Sequence, residues 1–268
     1  MPNTEATQPS AIPGGVRVVA VHNSFSHHII TLPVRPMNFA FVRRALGASD
    51  VASINNETGT LQPIADVVEI AGDIPVHSDA IQSWGKVPFS FKDLGLFAAS
   101  LSGHKVGGPI GIGVLVLRRG IDIPALIHGG GQEREIRSGT LNAPAIVAFT
   151  AAAEYAIANM NKNFKQIREL RDYFIAGLKK CVPDVSINSI SDPALPGIVN
   201  ATFPGTESDA LLLLLDTEGI SASAGSACSA GVPRPSHVLV ALGLSESDAD
   251  ASLRISIGTT NTKSEIDQ

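Results

Sequence analysis

Ser102-Gly103-His104-Lys105-Val106-Gly107-Gly108-Pro109-Ile110-Gly111 is the stretch from which the rest of the chain is read. It follows the apolar run Leu96 to Leu101 and leads into another, Gly111 to Leu117, closed by Arg118 and Arg119. Both runs have the length and branched composition of buried strands. Glycines around Lys105 let backbone come close to a bound group, and a lysine amine there can condense with a carbonyl to form a Schiff base. An ordinary surface lysine in a glycine-rich turn explains the same residues.

Upstream, Ile74 to His77 reads as a strand ending at Asp79, within His77-Ser78-Asp79-Ala80-Ile81-Gln82. Asp79 is either a helix N-cap or a carboxylate that keeps a proton on a pyridine nitrogen. Pyridoxal phosphate (PLP) needs such a proton to act as an electron sink. Val51 to Ile54 is a strand stub before Asn55-Asn56-Glu57-Thr58-Gly59, which offers an amide donor to a cofactor oxygen or simply forms a turn. Pro63 to Ala71 predicts a helix with proline in its first turn and Gly72 after its end. Strands alternating with helices predict an α/β fold with a parallel or mixed sheet covered on both faces. Polar residues gather past several strand C-termini, where open α/β sheets place ligands.

Toward the N-terminus, Val16 to Val21 reads as a strand, His27 to Leu32 as a weaker one, and Met37 to Leu46 as a helix closed by Gly47. Met1 to Gly15 reads as a disordered tail. Downstream, His128 to Thr140 is a glycine- and charge-rich loop. Asn142 to Lys180 is helical, with Ile167, Leu170, Phe174 and Leu178 on one stripe and a break expected near Asn161 to Asn163. Val185 to Ile187, Val199 to Phe203 and Leu253 to Ile257 read as strands, and Asp209 to Glu218 and Ser236 to Leu242 as helices. The expected organisation is therefore a tail (1–15), a partial large cofactor-binding domain (16–155) and a smaller α+β C-terminal domain (156–268). Thr262 to Glu265 has the pattern of a capping box with three residues after it, so the last helix of the small domain is expected to be missing.

The chain has 268 residues, 44% of them apolar and 17% charged, which supports a sizeable core and argues against wholesale disorder. A formal net charge of −5 argues against nucleic acid or an anionic membrane as partner. Two cysteines, Cys181 and Cys228, are too few for a disulfide framework. Met1 to Gly15 lacks the basic and apolar regions of a secretory leader. The expected location is the reducing cytoplasm, with both cysteines as thiols. No cluster of metal ligands is legible.

Cys228 sits in Ser221-Ala222-Ser223-Ala224-Gly225-Ser226-Ala227-Cys228-Ser229-Ala230-Gly231, a run of small residues unable to pack a core and expected to move. A buried cysteine is usually inert packing; one in an exposed loop acts as a thiolate nucleophile. Taken together, Asn55 to Gly59, His77 to Gln82, Ser102 to Gly113, His128 to Thr140, Gly225 to Cys228 and Leu253 to Gly258 resemble the cysteine desulfurases of the NifS/IscS type. These are PLP-dependent proteins of the class-V aminotransferase-like (aspartate aminotransferase-like) fold, and the match covers about three quarters of the chain. The resemblance implies Lys105 as the Schiff-base lysine and Asp79 at the pyridine nitrogen. It implies Asn56 and Gln82 at the phenolic oxygen, Ser102 and His104 at the phosphate, and Thr140 at the phosphate of the other subunit of a homodimer. It implies Arg254, with Asn56, at the substrate carboxylate, a task suited to a bidentate guanidinium.

Cys228 would take sulfur from L-cysteine, leaving L-alanine and a persulfide for an iron–sulfur scaffold or other acceptor protein. The resemblance fails before about residue 50, where the family's phosphate-cradling turn and Glu-His pair have no counterpart, so the chain reads as shortened at both ends. Two alternatives follow: a PLP-free, non-catalytic remnant that binds a partner, and a selenocysteine lyase-like enzyme.

Overall fold

Val51, Val76, Ala99 and Val116 each place a small or branched side chain at the same buried layer, and these residues seed the main core. They lie on four of the strands in the computed structural model, which describes residues 16–21, 49–120, 123, 125, 127–190, 192–225 and 235–268. Among the described residues the larger sheet holds β1 (Val16–Val21), β2 (Ser49–Ala52), β3 (Val76–Asp79), β4 (Ala98–Ser102) and β5 (Gly113–Arg118). Their order is β1-β5-β4-β3-β2. The strands β2, β3 and β4 run parallel, while β5 is antiparallel to both β4 and β1, so the sheet is mixed. The parallel strands end together at Ala52, Asp79 and Ser102, which gathers three of the predicted polar segments at one edge.

Helix α1 (Ile64–Ala71) covers one face with Ile64, Val67 and Ala71, and Gly72 closes it at φ 59°. Pro63 is the cap residue, where its missing N–H costs no helical hydrogen bond. The predicted strand Val51 to Ile54 is displaced: the strand stops at Ala52, and Ile54 forms an antiparallel bridge with Leu61. The cause is the turn at residues 55–59, which brings the chain back on itself and takes Ile54 out of the sheet. At the tip Gly59 has φ 77°, and a Cβ there would lie 2.9 Å from the carbonyl oxygen of Leu195. Gly59→Ala is expected to destabilise the protein by about 2–3 kcal/mol, from backbone strain plus overlap, read as a lower urea midpoint at unchanged slope.

Helix α2 (Ala143–Cys181) is continuous over 39 residues. The break expected near Asn161 does not occur, because residues 161–163 contain neither proline nor glycine and asparagine costs a helix only a few tenths of a kcal/mol. Asn142 caps its start by accepting from the Ala145 N–H. The helix runs unbroken through residue 155, the boundary expected between the domains. By length and composition it is also apolar enough to cross a membrane. Its Phe149, Ala153 and Ala156 are buried, which gives part of that composition a packing role.

The smaller sheet is antiparallel, in the order β6 (Ser186–Ile187), β7 (Ile198–Thr202), β8 (Ser252–Ser256). Around it lie α3 (Ser208–Thr217), α4 (His237–Ala241) and α5 (Glu246–Asp250), the last not foreseen from sequence. Ser245 caps α5 from outside the apolar pattern on which helix assignment relies. The capping box at Thr262 and Glu265 forms as predicted and opens α6 (Lys263–Ile266). The segments His27 to Leu32 and Met37 to Leu46 lie outside the described residues, as do Met1 to Gly15.

Candidate active site

Lys105 follows β4 on a single 3-10 turn, Gly103–Val106. This turn is tight for a stated reason: a Cβ on Gly103 would lie 2.7 Å from Ile112 Cγ2 and 3.1 Å from the Pro109 carbonyl oxygen. The Gly103 N–H donates to Ile112 and the Gly108 N–H returns to Gly103, so the glycine-rich loop closes on itself and presents Lys105 outward. Gly107 ends the turn in the left-handed region at φ 84°.

Lys105 faces a cavity of about 950 Å³ between the larger sheet, α2 and the smaller sheet. Asn56, Asp79, Gln82, His104 and Arg254 line the same cavity. Four segments far apart in sequence thus deliver these predicted side chains to one place. One wall is the α2 face bearing Ala152, Ala156, Met160, Phe164 and Ile167, whose spacing is that of one helical stripe.

The local bonding assigns roles among neighbours. Asn55, buried, spends its side-chain oxygen on the Glu57 and Thr58 N–H groups at 2.8 and 2.9 Å. It therefore builds the turn, and Asn56 is the asparagine that faces the cavity. Asp79 accepts from the Ile81 N–H at 2.9 Å, so it pins the start of a turn, with no helix after it to cap, while lining the cavity. Ser102 Oγ and His104 Nδ1 share a hydrogen bond of 2.7 Å. Burial, then the charges of Lys105 and Lys86, push the His104 imidazole below its ordinary value, so it is neutral at pH 7. Arg254, on β8, donates from Nη1 to the Asn56 carbonyl oxygen at 3.1 Å, tying the smaller sheet to the larger. Its Nε is buried without a partner among the described residues. A buried, unpaired guanidinium donor is costly to leave unmet and is a ready site for an anion.

Three predicted residues are not among those lining the cavity, and Ser102 meets it through its hydrogen bond to His104. Thr140 is exposed and does not line the cavity. Cys228 lies outside the described residues. The flanks of its segment are described: Ser236 donates to the buried Glu57 carboxylate, and a Cβ on Gly225 would lie 4.0 Å from the same oxygen. Both flanks therefore meet the turn that carries Asn56. Cys181 is exposed at the end of α2, away from the cavity lining.

Sequence reasoning missed Lys86. It lines the cavity, and its Nζ donates to Gln82 Oε1 at 2.9 Å. Burial, and next the charge of Lys105, lower its pKa from 10.5 to about 8. The available signal was the four-residue spacing from Gln82, hidden because residues 81–86 form turns rather than a helix. The folded state thus releases this proton more readily than the unfolded chain. The unfolded state binds more protons between pH 8 and 10.5, so stability rises with pH across that window. Measured as the difference between wild type and Lys86→Met in cofactor-free protein, wild type is expected to gain up to about 3 kcal/mol from pH 8 to 10.5.

Comparison with known proteins gives the architecture its family. The family described as aminotransferase class-V matches residues 46–268. The chain belongs to that family. It is 43% identical over 252 residues to the IscS-like cysteine desulfurase of Mycobacterium tuberculosis, covering 90% of this chain and 64% of that protein. A solved structure titled NifS-like protein superposes with a TM-score of 0.77 at 33% identity, over 89% of this chain and 62% of that one. Another, SspA in complex with cysteine, gives a TM-score of 0.66 at 33% identity, over 87% and 64% of the two chains. The chain thus spans a little under two thirds of the length of these relatives. The larger sheet with α2 is the class-V, PLP-dependent transferase fold expected from sequence, carrying the smaller α+β unit beside it.

Proposed function

We propose that the chain forms the cofactor and substrate site of a cysteine desulfurase, taking sulfur from L-cysteine onto Cys228 and releasing L-alanine. The observation that carries this reading is the convergence of Lys105, Asp79, Gln82 and Arg254 on one cavity. The donor set fits PLP: an amine for the aldehyde, a carboxylate for the pyridine nitrogen, and the Gln82 amide and Asn56 for the phenolic oxygen. Ser102 and the neutral His104 add hydrogen-bonding groups for the phosphate. When bound, PLP supplies an electron sink that weakens the Cβ–S bond of the substrate.

The residues of this chain do the rest. Arg254 holds the substrate carboxylate with a guanidinium already fixed by Asn56, which orients the substrate at little entropic cost. Leu195, Ile198, Phe164 and Ile167 exclude water from that side of the cavity. Asp79 would pair with the pyridine nitrogen of bound PLP and favour its protonated form. Lys105 would hold the cofactor aldehyde, and its free amine would serve as a base at the substrate carbons. The Cys228 thiolate attacks the substrate sulfur; the S–S bond forms as the Cβ–S bond breaks, and Cβ keeps the electron pair and takes a proton to give alanine. Cys228 is three residues from Gly225, a span of at most about 10 Å, and Gly225 sits against the Asn56 turn.

Related proteins named as cysteine desulfurases, and one related structure titled as holding cysteine, support the substrate. The exposed Ile110, Val147 and Tyr155 support a homodimer in which a second copy covers them and Thr140 reaches the partner's phosphate site. A free Cys228 thiol suits the reducing cytoplasm, with an iron–sulfur scaffold or similar protein as acceptor of its persulfide sulfur.

The test is to purify the protein with PLP, add borohydride and map the modified peptide, then assay alanine from L-cysteine with a Cys228→Ala control. Reduced PLP on Lys105 and alanine formation lost in the control support the reading. A protein that takes up no PLP overturns it, and turnover that prefers selenocysteine moves it to the lyase.

A further inference from the structure

We propose that Lys86 is a positioning residue that fixes the Gln82 side-chain amide with its NH2 group toward the cavity, as a donor to the phenolic oxygen of bound PLP. This rests on the PLP reading above. A glutamine amide presents oxygen and nitrogen ends of nearly equal shape, and either can face a ligand. Facing an anionic phenolic oxygen, the nitrogen end attracts and the oxygen end repels. Something must choose between them. A lysine ammonium has three donors and no acceptor, so the end of the amide that meets Lys86 Nζ at 2.9 Å is the oxygen. Gln82 Nε2 is then left for the cavity, which both residues line.

The turn holds this arrangement in place. Between the two residues Gly85 has φ 74°, and a Cβ there would lie 3.1 Å from Ala156 Cβ and 3.2 Å from Val106 Cγ1. Residues 81–86 are therefore pressed between α2 and the 3-10 turn that carries Lys105. Trp84 packs on Phe149 of α2 at 5.7 Å between ring centroids and holds the same segment. The backbone that carries both Gln82 and Lys86 is thereby held against α2. The lowered pKa of Lys86 adds that its charge is carried at a cost in stability. An apolar side chain at this position would avoid that cost, which is the pattern of a group kept for a site rather than for packing.

The experiment compares wild type, Lys86→Met, Lys86→Arg, Gln82→Leu and the double variant Lys86→Met/Gln82→Leu. Three quantities are read: the PLP dissociation constant, the wavelength of the visible band of bound PLP, and the unfolding midpoint without PLP. Lys86→Met is expected to weaken PLP about tenfold, the scale of one charge-linked hydrogen bond, and to shift the band. Its cofactor-free unfolding midpoint is expected at or above that of wild type. Lys86→Arg, which keeps a donor-only cation, should restore both PLP readouts. The double variant should bind no more weakly than Gln82→Leu alone, because Lys86 acts through Gln82.

Additive losses in the double variant, or a Lys86→Met protein that binds PLP with an unchanged band, overturn the proposal while leaving the PLP reading intact. A lower midpoint alongside the weaker binding makes Lys86 structural and also overturns it. Wild-type protein that takes up no PLP ends both.

Discussion

Lys105→Ala should yield protein that folds and holds PLP only loosely, with no borohydride-stable adduct and alanine formation reduced by at least 10³-fold. The side chain is exposed on its 3-10 turn, and the turn owes its shape to Gly103, Gly107 and Gly108 rather than to the lysine. Truncation therefore removes no core packing, and the unfolding midpoint should stay within the range of an ordinary surface substitution. On the proposed reading, what is lost is the covalent anchor and the base at the substrate carbons, two roles that no other residue on this turn would supply. Lys86 is the other lysine lining the cavity among the described residues, and its Nζ is engaged by Gln82. Mass spectrometry of the borohydride-treated protein gives the readout. An adduct that persists and maps to Lys86 would assign the Schiff base to the wrong lysine.

Asp79→Asn should retain PLP on Lys105 yet lose about 10²–10³-fold in alanine formation, the scale of removing one preorganised electrostatic group from a closed site. The substitution is conservative for structure. Asparagine keeps a side-chain oxygen for the Ile81 N–H, which Asp79 now satisfies at 2.9 Å, so the start of the 81–86 turn survives. It is not conservative for chemistry, because a neutral amide does not hold a proton on a pyridine nitrogen. The loss should appear in kcat with little change in KM, since Arg254 and not Asp79 is placed for the substrate carboxylate. A variant with wild-type turnover would reduce Asp79 to its role in the turn.

Those two roles of Asp79 show how far sequence reasoning reached. Read alone, Asp79 was either a helix N-cap or a cofactor ligand; the structure has a turn and no helix after it, and Asp79 pins that turn while lining the cavity. Asn55 and Asn56 were equally good amide donors by type. The resemblance chose Asn56, and the turn, with the Asn55 oxygen committed to two N–H groups, gives the physical difference between them. The break expected in α2 rested on three polar residues and did not occur, because a few tenths of a kcal/mol of propensity cannot interrupt a helix packed along one face. The strand at Val51 was found but displaced, since the bridge of Ile54 to Leu61 depends on a turn that hydrophobic pattern does not register.

By itself the sequence determined the alternation of strands and helices, the glycine-wrapped Lys105, and the order of the polar segments after the strands. These are local properties, written in period, branching and turn residues. The tertiary structure decided that four distant segments bring their polar side chains to one cavity, that Arg254 reaches across to Asn56, and that Lys86 engages Gln82 inside it. Such contacts depend on the order in which β5, β4, β3 and β2 pair and on how α2 lies across them. That order is set by burial of the whole apolar surface at once, and no single stretch of residues encodes it.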